Sequence, residues 1–102
     1  MDTSRQFEDQ CRGHLDRFFA AQPGSPYQAH AYKTLRLLRA SEKPLQGKPE
    51  GWAAGIIYYL ATDARIPCGV SGMLNAEFEA LMGVSMETVR TRAAAVRELA
   101  GL

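Results

Sequence analysis

The chain has 102 residues, of which 46% are hydrophobic, with twelve Lys and Arg against eleven Asp and Glu, a formal net charge of +1. That length is read as one domain, residues 1–102, able to bury roughly 65% of its unfolded surface, and the composition excludes a disordered chain. The near-neutral charge counts against tight non-specific binding to nucleic acid, which normally rests on a basic excess.

The spacing of apolar residues predicts helices throughout and no strand. The first helix is expected from Thr3 or Ser4 to about Gln22, before Pro23-Gly24. Its apolar stripe is Phe7, Cys11, His14-Leu15 and Phe18-Phe19. The second is expected from Ser25, with Pro26 at the favoured first helical position, and with Ala29, Tyr32, Leu35 and Leu38 (or Leu37) on its inner side. It fades near Ser41, and Lys43 to Gly47 makes a turn. Residues 33–48 hold Lys33, Arg36, Arg39, Lys43 and Lys48 against the single acid Glu42, which is either a basic edge or an ordinary solvated face.

The third helix is expected to begin around Lys48-Pro49-Glu50, with proline early and an acid in the first turn as the helix dipole favours. Trp52 to Ala61 carries no charge, and a helix apolar on every side is surrounded by other helices. The small residues Gly51, Ala53, Ala54 and Gly55 let neighbours come close, at a cost in helix propensity. This apolar run is the longest in the chain and falls far short of the roughly 20 residues that span a bilayer. No membrane partner is expected. Met1 to Arg5 lacks an apolar signal region, so a cytoplasmic protein is expected.

A loop marked by Pro67-Cys68-Gly69 and Gly72 follows, then a short fourth helix from Asn75 to Met82 with Phe78, Leu81 and Met82 inward. The segment Gly83 to Arg92 reads as the turn and recognition-helix start of a helix-turn-helix, which spans about 74–100. Gly83 supplies the positive φ of a tight turn, Val84 plugs the gap between the helices, and Ser85 is an N-cap. Val89, Ala93, Val96 and Ala100 form one face of the fifth helix, which ends at Gly101. Glu87, Thr91 and Glu98 lie opposite, with Thr88 and Arg90 on the flanks.

Other chemistry finds little support. Cys11 and His14 share a helix face and could supply two metal ligands, but a zinc site needs two more, and Cys68, His30 and the carboxylates show no ligand spacing. No metal or cofactor is expected. A buried thiol beside a hydrogen-bonded imidazole is the simpler reading, with Asp16 either its partner or facing water. The two cysteines form no C-x-x-C pair and read as free thiols in a reducing compartment. No nucleophile elbow, glycine-rich loop after a strand or pair of carboxylates marks an enzyme. Trp52, Tyr58 and Tyr59 read as core or, alternatively, as a groove for a partner's helix.

Two family resemblances follow from these residues. Lys48 to Ala61 resembles the alanine-rich third helix of the cyclin-like repeats of transcription factor IIB, and Glu77 to Leu99 resembles their fourth and fifth helices. Gly83-Val84-Ser85, Thr88-Val89-Arg90 and Arg92 match the G-V-S-x-x-T-I-R-x-R run of that family. The resemblance implies an all-α fold: a five-helix, cyclin-box-like orthogonal bundle with a C-terminal helix-turn-helix that enters the major groove of double-stranded DNA. Met86, Glu87 and Arg90 would face base edges, and Ser85, Thr91 and Arg92 would face phosphate. Arg90 and Arg92 are open to a second use, solvated or paired with Glu87.

The chain holds one repeat where factor IIB has two. It also has Glu79 where such motifs usually place a small residue, four before the turn glycine, which predicts a different helix crossing. Cys11 to Asp16 and Pro44 to Ala54 further resemble the two hallmark stretches of a bacterial domain family without assigned activity, which also ends in a helix-turn-helix. The expected function is DNA binding in transcription or mobile-element control. The alternative is a protein-interaction module of the same fold, with a protein partner or a homodimer.

Overall fold

Thr3–Ala21, Gln28–Ala40, Pro49–Asp63, Asn75–Met82 and Met86–Leu99 are helical; they are α1 to α5 here. The coordinates are a computed structural model that describes residues 3–22, 28–40, 47–63 and 75–99. Among the described residues every regular element is a helix. The expected helix start at Ser25-Pro26, residues 43–46 of the expected turn, the Pro67–Gly72 loop with Cys68, and the Gly101 stop lie outside the described residues.

α3 is the hub. It packs against each of the other four helices. Gly51 to Ile57, Tyr59 and Ala61 are all buried, as a helix without a polar face requires. α1 contributes Cys11, Leu15, Phe18 and Phe19 to the same core. The Phe18 ring meets Phe19 edge-on at 5.1 Å between centroids and Phe78 of α4 at 5.9 Å, so one aromatic cluster ties α1 to α4. α4 lies on α1 and α3, while α5 lies on α3 and α2. The radius of gyration is 12.4 Å, close to the ~13 Å of a compact chain of this length.

The inner face of α2 differs from the sequence expectation. Ala29 is exposed, and Ala31, Thr34, Leu35 and Leu38 are buried. The true stripe is i, i+3, i+4, i+7 from Ala31, and it includes a threonine. Its hydroxyl donates to the His30 carbonyl at 2.7 Å, which satisfies the buried polar atom inside its own helix. Leu38 takes the core position and leaves Leu37 43% exposed.

Candidate nucleic-acid interface

The break between α4 and α5 is built from local chemistry. Gly83 has φ +74, a left-handed conformation that an L side chain resists, and its N–H donates to the Glu79 carbonyl at 2.8 Å to close α4. Val84 is half-buried against the core, as a plug between the helices would be. Ser85 caps α5. Its Oγ accepts the Thr88 N–H at 3.3 Å and donates to Thr88 Oγ1 at 3.2 Å, and its carbonyl accepts the first intrahelical bond, from Val89, at 2.9 Å.

Glu79 explains its own departure from the usual small residue. Its Oε2 accepts the Met86 N–H at 2.6 Å. The carboxylate reaches from the last turn of α4 to an orphan donor at the start of α5, where the helix dipole also favours negative charge. A side chain that sequence reasoning treats as a misfit is the bridge that sets the corner.

The six expected DNA contacts divide on this scaffold. Ser85, Glu87, Arg90 and Thr91 are exposed. Thr91 also donates its hydroxyl to the Glu87 carbonyl at 2.9 Å, a side-chain-to-backbone bond within the helix. Met86, expected at a base edge, is instead buried at 7% exposure, because it begins the core stripe that continues through Val89, Ala93 and Val96. Arg92, expected at phosphate, is half-buried; its Cζ stands 5.1 Å from the centroid of the Trp52 ring on α3. Neither Arg90 nor Arg92 is paired with Glu87 among the described contacts. Arg97 and Glu98 are exposed, with Arg97 6.0 Å from the Tyr59 ring. On α2, Lys33 and Arg36 are exposed, so part of the basic run does form a solvated edge.

The second polar group lies where α1 meets the start of α3. Cys11 is a free buried thiol whose Sγ donates to the Pro49 carbonyl at 3.5 Å. Burial, reinforced by Glu50 and Glu8, raises its pKa from 9.0 to about 12. It is a thiol at physiological pH and a poor nucleophile. His14 Nδ1 lies 2.9 Å from Arg17 Nη2, an obligate donor, so Nδ1 accepts and the ring proton sits on Nε2. Nε2 itself stands 3.7 Å from Glu50 Oε2. Asp16 is not the imidazole's partner; it accepts the Tyr32 hydroxyl and links α1 to α2. Among the described residues no group of three or more His, Cys, Asp or Glu converges as metal ligands do. The same residues contain no helix long and apolar enough to cross a membrane.

Sequence reasoning missed the Arg92–Trp52 contact, which joins residues 40 positions apart. One signal was present. Gly47, Gly51 and Gly55 recur every four residues, the spacing of a helical track without side chains. No family model, curated protein or solved structure matches the chain.

Proposed function

We propose that the chain binds duplex DNA through α5, as the reading head of a cyclin-like five-helix bundle with a terminal helix-turn-helix. The observation that carries the reading is the exposed side of α5 behind the Gly83–Ser85 corner, where Arg90 has no ion pair or hydrogen bond among the described contacts. An arginine on such a face can bond guanine O6 and N7 together, and Glu87, beside it, can accept from a cytosine amino group. Ser85 and Thr91 border the same face; to bond a phosphate each would turn away the hydroxyl hydrogen that it now donates to Thr88 Oγ1 and to the Glu87 carbonyl. Two of the N-terminal amides of α5, those of Met86 and Thr88, are already engaged by Glu79 and Ser85. Met86 and Arg92 have no part in the contact surface.

A duplex of mixed sequence, labelled for fluorescence anisotropy, tests this. Binding is expected at ~50 mM salt and weakens as salt rises. Arg90→Ala is expected to lower the salt slope by about 0.9 if the side chain neutralises one phosphate, or to relax base preference at one position if it reads guanine. No binding to any duplex at ~50 mM salt would remove the reading.

A protein-interaction module is the second reading. It is favoured by charge balance on the exposed side of α5, where Glu87 and Glu98 offset Arg90 and Arg97. Partners that survive nuclease treatment support it, and a dimer in native mass measurement identifies a second copy as the partner.

A further inference from the structure

We infer that Arg92 is a positioning residue: stacked on Trp52 and seated in a track of glycines, it fixes the rotation of α5 on α3 and does not touch DNA. The consequence for DNA rests on the function proposed above; the positioning itself does not.

Three contacts place the side chain along its whole length. A Cβ at Gly55 would stand 2.7 Å from Arg92 Cβ, one at Gly51 would stand 3.7 Å from Cγ, and one at Gly47 would overlap Nη2. The stem and head of Arg92 thus run over three glycines spaced by four residues, from the middle of α3 back to Gly47, two residues before Pro49. Gly47 has φ +106, so the backbone there also takes a form that a larger residue resists. The guanidinium ends 5.1 Å from the Trp52 centroid, within the range of a cation–π contact. A planar guanidinium stacks on such a face and packs flat against a bare α-carbon; an ammonium does neither as well.

Residues two apart on a helix point roughly 200° away from each other. With Arg92 clamped onto α3, Arg90 is turned to solvent, as observed. The half-buried arginine therefore sets the aim of the exposed one. Two arginines that look alike in sequence have different work: one contacts, the other orients.

Trp52 is the chain's single tryptophan, so its emission reports the contact without DNA. Arg92→Ala and Arg92→Lys are each expected to shift Trp52 emission and increase its quenching by acrylamide, with helix content by circular dichroism unchanged. Gly47→Ala, which displaces the guanidinium from the other side, is expected to give the same signature. The Gly47→Ala/Arg92→Ala double variant is expected to add little to either single change.

In the anisotropy assay both Arg92 variants are expected to bind DNA more weakly with the salt slope unchanged, whereas Arg90→Ala changes slope or base preference. An unaltered Trp52 signal in Arg92→Ala overturns the inference. So does a slope that falls by about 0.9 in Arg92→Ala and returns in Arg92→Lys, the mark of a phosphate contact. A wild-type chain that binds no duplex removes the DNA reading alone, and the Trp52 measurements still decide the role of Arg92.

Discussion

Glu79 shows how one side chain can carry a junction. Its carboxylate takes a backbone N–H that the first turn of any helix leaves without a partner, at 2.6 Å, and it does so across the corner between α4 and α5. A charge-assisted bond of this kind contributes about 1.5–3 kcal/mol, and loss of a capping side chain typically costs about 1 kcal/mol. Glu79→Ala is expected to lower stability by about 1–2 kcal/mol in urea denaturation, and Glu79→Gln by less, because the amide oxygen still accepts. An alanine variant as stable as the parent would show that the bond carries no net free energy. Ser85 takes a second donor of the same turn, the Thr88 N–H, at 3.3 Å.

Among elements, the seam between α3 and α5 brings backbone almost onto backbone. A Cβ on Gly55 would meet the Arg92 carbonyl carbon at 2.9 Å and the Ala93 nitrogen at 3.0 Å, which are backbone atoms that cannot step aside. At Gly51 the nearest atom is Thr88 Cγ2 at 3.5 Å, ordinary van der Waals contact, and at Gly13 on α1 nothing lies within 4 Å. Replacing a helical glycine by alanine gains up to about 1 kcal/mol of helix propensity, whereas overpacking costs about 1–3 kcal/mol. Gly13→Ala and Gly51→Ala are therefore expected to stabilise the fold by roughly 0.5–1 kcal/mol, and Gly55→Ala to destabilise it by about 1–2 kcal/mol. Thermal melts of the three variants check the sign at each position; stabilisation by Gly55→Ala would mean that the seam is looser than it stands here.

At the scale of the molecule, α1 is tied to its neighbours by two groups that titrate late. Cys11 faces Pro49 of α3, and its pKa is raised to about 12 by burial first and by Glu50 and Glu8 after that. Tyr32 of α2 donates to Asp16 of α1, and its pKa is raised from 10.0 to about 12 by desolvation first and then by that carboxylate. Both are acids whose neutral form the fold favours. Above about pH 9 the unfolded chain releases protons that the folded chain keeps, so the linked stability is intact below that pH and falls as pH rises towards 12. Urea midpoints are expected to drop over this window, with a shallower slope in Cys11→Ala and in Tyr32→Phe. Equal slopes in all three proteins would mean that neither group carries the effect.

Helix number, the apolar hub and the corner at Gly83 were legible in the amino-acid order, because each is a local matter. A 3.6-residue period, a run without charge from Trp52 to Ala61, and a Gly-Val-Ser turn state their conformation within a few neighbours. Which face of α2 turns inward, that Met86 belongs to the core, and that Arg92 folds back on Trp52 were not legible. The last two depend on how α5 meets α3, where the bare backbone at Gly55 and Gly47 admits Arg92, up to 45 residues away along the chain. Distance in sequence hides such a fit, since it arises from the shape of two surfaces meeting and not from the preference of either alone.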